Sequence, residues 1–232
     1  MKYFADIDRL LSLLREMLNG TLVTLEVWAL TLVFALPLGL LICQMRMSKN
    51  GFARGVARVY IFYFRGSPLM LQLLFMFFGV PIIVKNILSL FNPAPPPFTL
   101  DRTFAAILAF ILNYAAYFAE IYRGGIQSIP RGQYEAAHVL GLSNKVTFFK
   151  IILPQVVKRI IPPIGNEVIT LVKDTALVYV IALQDMLFKA KAAVNRDVSV
   201  MPFVIAAIFY LVMTGVLTHL LERIERKFDY YK

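Results

Sequence analysis

The chain has 232 residues, of which 59% are hydrophobic and only 16% are charged, and its mean hydropathy is +0.69. A soluble domain of average composition is about 45–50% apolar and about 25% charged, so these values exclude an ordinary water-soluble domain and predict a membrane protein. The net charge of +10 also suits nucleic-acid binding, but the basic residues lie at the ends of apolar runs, where they fix orientation in a membrane. The single cysteine, Cys43, excludes a disulfide framework and a thiol metal site.

The amino-terminal part of the chain predicts two successive elements. Residues 1–19 combine charges of both signs with a cluster of leucines, which is typical of an amphipathic helix lying at the membrane interface. No cleavage site of small residues follows, so the next apolar run is expected to be retained. That run, residues 21–45, predicts the first membrane span, with a bend at Pro37 and Gly39.

Four further spans are predicted downstream, which makes the chain an all-α membrane protein with about five transmembrane helices. A proline-rich connection that cannot be helical separates the second and third spans. The fourth span is weaker, and we expect Pro162, Pro163, Lys173 and Asp174 to interrupt it. The predicted ranges are 61–84, 103–122, 168–183 and 200–221 for the spans, 92–101 for the proline-rich connection, 20–222 for the whole membrane domain and 223–232 for a charged cytoplasmic tail.

The distribution of Lys and Arg predicts the orientation of the chain. The connection after the first span, residues 46–60, holds four basic residues and no acidic one, and residues 123–160 hold six basic residues with Glu135 as the only acid. Because connections rich in Lys and Arg stay in the cytoplasm, the amino terminus is expected outside and the carboxyl terminus inside. The segment 130–154, which we call the coupling segment, is then expected to lie on the cytoplasmic side.

The coupling segment predicts a short helical hairpin suited to docking. A helix is expected to start near Gln133, with Glu135 in its first turn, close to the positive end of the helix. Gly141 can take the left-handed conformation and end this helix, and Ser143 or Asn144 can cap the next one. The alternative is an ordinary amphipathic cytoplasmic loop.

Several motifs resemble those of one family of transport proteins. Glu135-Ala136-Ala137, with Gly141, Ile151, Leu153 and Pro154 at their spacing, resembles the EAA loop of permease subunits of ATP-binding-cassette (ABC) importers. Three other segments resemble those of the polar amino-acid branch of these permeases, the histidine, glutamate, glutamine, arginine and opine type. They are residues 63–68 with Gln72, residues 116–126 running into Gly132 and Gln133, and residues 173–177, in which Ala176 stands where Ser is usual.

The resemblance implies a type I importer permease, with a MetI-like architecture, in the bacterial cytoplasmic (inner) membrane. Such a permease works with a second permease subunit, identical or related, with two cytoplasmic ABC ATPases and with an external or periplasmic substrate-binding protein. ATP binds to the ATPases, and this chain has no phosphate-binding loop of the Gly-x-x-x-x-Gly-Lys-Ser/Thr type, so we expect a transport component with no cofactor of its own and no enzyme activity. The implied ATPase-coupling residues are Glu135, Ala136, Ala137, Gly141, Leu142 and Pro154.

Polar side chains at the fourth span are the candidates for a substrate path, because an ionisable residue inside a bilayer faces a cavity, a partner or an interface. An interrupted helix also exposes backbone groups that can hold an ammonium or a carboxylate. The alternative is that Lys173 and Asp174 pair with each other and mark the outer interface. The candidate path residues are Asn166, Glu167, Lys173, Asp174, Thr175 and Gln72.

The nature of the substrate stays open at this point. Glu167 and Asp174 favour a cationic amino acid, but a neutral, acidic or sulfur-containing one is equally compatible with the motifs. No catalytic constellation and no metal site are expected. Two other functions remain as alternatives, a stand-alone secondary carrier or channel and a membrane scaffold, and co-purification of an ATPase would separate the importer subunit from both.

Overall fold

The computed structural model describes residues 7–92 and 94–228, and this part of the chain is helical without a β-strand. A 3₁₀ segment, Thr175–Ile181, connects two of the helices. The helices are α1 (Ile7–Met47), α2 (Gly51–Gly66), α3 (Leu69–Ser89), α4 (Arg102–Gln127), α5 (Arg131–Val139), α6 (residues 144–174), α7 (Met186–Asp197) and α8 (Met201–Lys227).

The described residues of the two elements predicted at the amino terminus form one helix, without a break near residue 20. Helix α1 runs without interruption from Ile7 through Pro37 to Met47, whereas residues 1–6 of the predicted interfacial helix lie outside the described part. Gly20 does not break the helix because it has a packing role: a Cβ there would lie 2.7 Å from the Cα of Met186. A small residue at this point allows α1 to approach the start of α7.

The second predicted span begins at Leu69 and not at residue 61. Helix α2 ends at Gly66, and Ser67 takes an extended conformation with ψ of 148°. The physical reason is Pro68, since a residue that precedes proline is driven away from helical geometry. The apolar residues 61–66 therefore belong to a separate helix, and α3 (Leu69–Ser89) is the element long and apolar enough to cross a membrane.

Helices α3 and α6 each contain a π turn that ends two residues before a proline. In α3 the π turn is Phe75–Gly79, and the N–H of Val80, just before Pro81, donates to the carbonyl of Phe75. In α6 the π turn is Thr147–Ile152, and the N–H of Leu153, just before Pro154, donates to the carbonyl of Phe148. Proline has no N–H to donate, and the wider hydrogen-bond register lets the helix continue past it.

Helix α6 corrects the prediction for the fourth span. Pro154 lies within the continuous helix. Pro162 and Pro163 were expected to interrupt it, yet Leu153–Asp174 is helical throughout, including Lys173. Membrane helices tolerate proline because neighbouring groups satisfy the freed carbonyls. The change in geometry comes later, where the 3₁₀ segment begins at Thr175.

The third and fifth spans and the proline-rich connection agree with the ranges predicted from the sequence. Helix formation over the predicted third and fifth spans is confirmed by α4 and α8. The described part of the proline-rich connection is non-helical, and Asp101 at its end caps α4 by accepting from the N–H of Phe104 at 3.0 Å.

By length and composition, four helices of the described chain could cross a membrane: α1, α3, α4 and α8. Helix α8 continues to Lys227, so residues 223–227 of the predicted tail are helical.

The main core forms where α1 packs against α4. At Gly39 of α1, a Cβ would lie 2.8 Å from the Cβ of Phe118 and 3.0 Å from the carbonyl oxygen of Ala115. Small residues on both helices permit this close approach. The fully buried side chains of α4 include Ala105, Ala106, Phe110, Ala115, Ala116, Phe118 and Ala119.

A second cluster attaches the first turns of α1 to α7 and α8. Its buried members are Leu13, Met17, Met186, Ala190, Ala193, Ile205 and Ala206. Beside it, the buried carboxylate of Asp197 accepts hydrogen bonds from Arg9 and from Arg196, and Arg196 also bonds to Glu16 at 2.8 Å. The amino-terminal part of α1 is therefore packed against the body of the protein.

Candidate functional site: a coupling segment and a polar path

Helix α5 ends in a Schellman motif at Gly141. The N–H of Leu142 donates to the carbonyl of Ala137 at 3.1 Å, and the N–H of Gly141 donates to that of His138 at 2.9 Å. Gly141 has φ of +71°, in the region where a side chain is disfavoured. The left-handed glycine expected from the sequence is thus confirmed, and it fixes the angle at which the chain turns from α5 towards α6.

The next helix begins at Asn144, with Ser143 as its cap. The Ser143 hydroxyl accepts from the N–H of Val146 at 3.4 Å, which settles the choice between Ser143 and Asn144. The helix starts two residues earlier than predicted, at Arg131, so Glu135 lies just after the first turn and not within it. The helix starts earlier since Pro130 provides an extended residue directly before it.

Only one side of α5 faces the rest of the protein. Ala137 is buried, whereas Glu135 and Ala136 are exposed. Val139 and Leu140 are 86% and 75% exposed, and two large apolar side chains held in solvent beside exposed polar ones are typical of a surface that a partner covers. Leu142 and Pro154 are half-buried and belong to the support of the hairpin.

The hairpin is joined to the ends of α4 and α6. Ile129, Ile152 and Val156 form a small buried cluster beneath it. The amide of Gln155 donates to Gln133 at 3.4 Å, and the Arg159 guanidinium donates to the carbonyl of Ser128. These contacts join α5 and the end of α4 to α6, the helix that carries most of the candidate path residues.

The candidate path residues of α6 share one side of the helix. Asn166 and Lys173, seven residues apart, are exposed, and Glu167 and Asp174, also seven residues apart, are half-buried. A separation of seven residues is close to two helical turns, so these four residues form a polar stripe. A stripe with an exposed Lys is costly against lipid and must face water or another protein.

The buried edge of this stripe contacts α4. The Tyr114 hydroxyl donates to a carboxylate oxygen of Asp174 at 2.8 Å, so Asp174 has a partner other than Lys173. Glu167 interacts electrostatically with Asp174 and with Arg65 at the end of α2. Thr175 is fully buried, and its hydroxyl donates to the carbonyl of Val172 at 2.6 Å.

A charged cluster continues from Arg65 along α4. Arg123 donates two hydrogen bonds to Glu120, at 3.0 and 2.6 Å. Arg65 lies 3.9 Å from Glu120, and its guanidinium stands over the ring of Tyr117, 5.1 Å from the ring centre. The contributions of Tyr114 and Tyr117 were not predicted, because tyrosines in an apolar run give no signal of their own.

Gln72 lies on α3 and is not part of the stripe on α6. Its side chain is buried and bonded to the carbonyls of Phe64 and Ser67 at 3.0 Å and to Asn113. The structure thus brings together Asn166, Glu167, Lys173 and Asp174 but places Gln72 at the joint between α2 and α3. Among the described residues no group of His, Cys, Asp and Glu could hold a metal ion.

A bundle of apolar helices with a polar stripe and a projecting amphipathic helix defines a helical membrane transport subunit. The chain belongs to the family of binding-protein-dependent transport system inner membrane components, whose model matches residues 35–230. It is therefore a permease subunit of an ABC importer, a multi-pass inner-membrane protein that is a transport component and not an enzyme, and it works with an ATPase and a substrate-binding protein. Membership in this family excludes the two alternative functions, a stand-alone secondary carrier or channel and a membrane scaffold.

Curated relatives match nearly the full chain. The chain is 36% identical over 211 residues to the arginine transport system permease protein ArtQ of Bacillus subtilis, which covers 90% of this chain and 91% of that protein. It is 35% identical over 215 residues to the L-cystine transport system permease protein TcyB of the same organism, covering 92% and 86%. A putative glutamine transport system permease protein GlnP of Rickettsia conorii is 32% identical, covering 90% and 91%.

Solved structures show the same fold. A chain of an amino acid ABC transporter crystallised with histidines superposes with a TM-score of 0.83 at 32% identity, covering 96% of this chain and 98% of that chain. The inward-facing MetNI methionine transporter gives a TM-score of 0.67 at 16% identity, covering 97% and 99%, a likeness of fold alone. The type I permease architecture expected from the motifs is confirmed.

Proposed function

We propose that the protein carries a polar amino acid across the cytoplasmic membrane, driven by two ATPases that dock on α5. The observation that carries this proposal is the structure of the coupling segment: an exposed helix, ended by a left-handed glycine, whose Gln133 contacts α6 through Gln155. Relatives that transport arginine, L-cystine or glutamine support an amino acid as substrate.

The proposed substrate path follows the polar stripe of α6. The path contains two carboxylates, Glu167 and Asp174, and the cationic Arg65, which acts electrostatically on Glu167. It therefore offers groups for both the ammonium and the carboxylate of an amino acid. Two acidic and two basic groups, the latter Arg65 and Lys173, occur at this point, so their charges alone do not select among cationic, neutral and acidic amino acids. The exposed Lys173 would face the same aqueous space.

A second permease subunit is proposed to cover the stripe. Asn166 and Lys173 cannot face lipid without a large cost, and a second copy or a related chain placed opposite would enclose an aqueous passage between the two. The large exposed apolar residues of α8, which include Phe203, Val204, Ile208, Leu211, Val212 and Val216, would then contact lipid or that subunit.

The orientation completes the proposal, with the amino terminus outside and α5 in the cytoplasm. It is supported by the basic residues of the connection after α1, where Arg46, Lys49, Arg54 and Arg58 occur without an acid. A cysteine introduced at Ser143, in the chain with Cys43→Ser, should react with an impermeant maleimide only after the membrane is opened. Labelling of intact cells would contradict this orientation.

Glu135→Lys tests the docking of the ATPase. Glu135 is exposed on α5, so the substitution should leave insertion intact while it weakens co-purification of the ATPase and lowers ATP-driven uptake by about tenfold or more, the factor expected for the loss of about 1.4 kcal/mol of binding. Glu222→Lys, an equally exposed acid on α8, is the matched control and should retain uptake. Normal uptake and co-purification with Glu135→Lys would refute the docking role of α5.

A further inference from the structure

An apolar groove opens beside the coupling segment, between the last turns of α1 and α4 and the first turns of α6. Its volume is about 640 Å³, and we call it the inner groove. This volume lies in the range of about 300–1,000 Å³ typical of sites for small molecules. Its lining includes Leu40, Met47, Ile126, Phe149, Leu153 and Val156.

The groove has few polar groups, and one of them, the hydroxyl of Tyr122, already donates a hydrogen bond within the protein. Gln44 lies on its wall together with Tyr122, whose hydroxyl donates to the carbonyl of Leu36 at 3.3 Å. The wall therefore suits an apolar occupant, and a surface of this kind at the end of two membrane helices is unfavourable in contact with water.

The two segments that border the groove are basic and contain no acid. Lys49 follows the last residue of α1 by two positions, and Lys150 follows the groove residue Phe149. Residues 44–60 and 141–160 contain no Asp or Glu. Both lysines are exposed, and neither forms an ion pair within the described chain. An apolar groove with unpaired positive charge at its edge is complementary to a molecule with an apolar tail and an anionic head.

We propose that the inner groove binds an anionic phospholipid, with an acyl chain along the apolar wall and the phosphate against Lys49 and Lys150. This assignment rests on the cytoplasmic orientation proposed above, because the basic edge of the groove then lies at the level of the inner-leaflet headgroups, where anionic lipids attract Lys and Arg. The family membership does not specify this site.

The position of the groove connects the lipid to transport. Phe148 and Phe149 belong to the π turn that follows the Ser143 cap, so they are separated from α5 by only a few residues. A bound acyl chain would lie against Phe148 and Val156, which pack in the same cluster as the fully buried Ile152, and would thereby support this turn. Uptake by the assembled transporter should therefore rise with the fraction of anionic lipid.

Photo-cross-linking of the assembled importer tests the proposal. The full chain with its partner subunits is placed in phosphatidylcholine nanodiscs that contain a trace of phosphatidylglycerol with a diazirine near the end of one acyl chain, or the same amount of phosphatidylcholine with the same labelled chain. After irradiation, the labelled peptides are identified by mass spectrometry. We expect adducts on groove peptides with the phosphatidylglycerol probe, several-fold above those with the phosphatidylcholine probe.

Two pairs of variants separate the acyl and headgroup contacts. Leu40→Trp fills the groove and should remove the adduct, whereas Leu41→Trp, at the adjacent exposed leucine outside the groove lining, should keep it. Lys49→Gln with Lys150→Gln should lower the yield with the anionic probe alone, by about fivefold for each lysine. Lys85→Gln, on α3, should leave the yield unchanged.

Three outcomes would overturn the proposal. Equal adducts from both probes would show that the anionic headgroup does not contribute to binding. Equal adducts in Leu40→Trp and Leu41→Trp would show that the groove is not the binding site. The absence of any groove adduct would show that another protein surface covers it. None of these outcomes affects the docking of the ATPase on α5, which is tested separately by Glu135→Lys.

Discussion

Asn113 on α4 donates a hydrogen bond to Gln72 on α3, with 3.0 Å between Nδ2 and Oε1, and both residues are buried. Asn113 donates also to the carbonyl of Phe64 at 2.9 Å, and Gln72 donates to the carbonyl of Ser67. These carbonyls are left without helical partners because Pro68 separates α2 from α3. The two amides therefore hold three helices together at the position where the backbone is interrupted.

We expect Asn113→Leu to destabilise the protein without changing substrate affinity. The substitution leaves the buried Oε1 of Gln72 unpaired, at a cost of about 1–3 kcal/mol, so the thermal unfolding temperature in detergent should fall while the KM for uptake stays the same. Asn86→Leu, at an exposed position of α3, is the control. Gln72→Leu should behave like Asn113→Leu, and a raised KM for that variant would instead favour Gln72 as part of the substrate path.

This joint also shows what the sequence could predict and what it could not. Hydropathy places α4 and α8 correctly, because their apolar runs are long and unbroken. It extends the second span into residues 61–66, since an apolar helix end and a membrane span have the same composition and only the tertiary structure separates them. The effect of proline was wrong at both places: Pro68 was placed inside the second span although a helix ends just before it, and Pro162 was expected to interrupt a helix that is continuous. The cost of proline depends on which neighbours satisfy the freed carbonyl.

The candidate site was predicted best where a backbone conformation requires a particular residue. Gly141 was expected to be left-handed, and its φ of +71° confirms this. The residues of the polar stripe were expected where the fourth span is interrupted, whereas Asn166, Lys173 and their neighbours lie on a single continuous helix. The contacts of Asp174 with Tyr114, and of Glu120 with Arg65, join different helices, and no local pattern in the sequence specifies such a pairing.

Gly141→Val should uncouple the transporter. A side chain in the left-handed region costs about 1–2 kcal/mol, and a β-branched one is especially unfavourable there, so the turn after α5 should open and α5 should shift. We expect lower uptake and weaker stimulation of the ATPase by the loaded binding protein, with normal insertion into the membrane. Gly132→Val, in the same helix and with no atom within 4 Å of its Cβ position, should retain both activities. Equal loss in the two variants would contradict this account of Gly141.

Gly20→Ala and Gly215→Ala should change stability in opposite directions. A Cβ at Gly20 would lie 2.7 Å from the backbone of Met186, whereas at Gly215 no atom lies within 4 Å. Alanine is favoured over glycine inside a helix by about 1 kcal/mol, so Gly215→Ala should raise the thermal unfolding temperature or leave it unchanged. Gly20→Ala should lower it because α1 and α7 must separate. A stable Gly20→Ala protein would show that these helices are not in close contact.

Glu167→Gln should impair transport more than folding. Glu167 is half-buried beside Arg65 and Asp174, and loss of a charged hydrogen-bonding group that holds a substrate costs about 1.5–3 kcal/mol. The KM for a cationic amino acid should therefore rise by about tenfold or more, with little change in the unfolding temperature. Glu26→Gln, at an exposed position of α1, should leave the KM unchanged. If the two variants transport equally well, Glu167 does not line the path.

Asp185 should make the stability of the protein depend on pH. Its carboxylate is fully buried and caps α7 by accepting from the N–H groups of Leu187 at 3.2 Å and Phe188 at 2.9 Å. Burial raises the pKa of Asp185 from 3.8 to about 6, even though these hydrogen bonds act to lower it. Between about pH 4 and pH 6 the folded state consequently binds more protons at this site than the unfolded state does, so the contribution of Asp185 to the free energy of unfolding falls as the pH rises.

The substitution Asp185→Asn isolates this contribution, because Asn is also a good helix cap and does not titrate. Between pH 4 and pH 7 the stability of the wild type relative to the variant should fall by an amount on the order of 2 kcal/mol, measured as the difference between their thermal unfolding temperatures in detergent. Asp101→Asn, at the exposed cap of α4, controls for the loss of a charge at a helix start. A wild-type advantage that grows with pH would mean that the carboxylate is stabilised, and not destabilised, by its position between α1, α7 and α8.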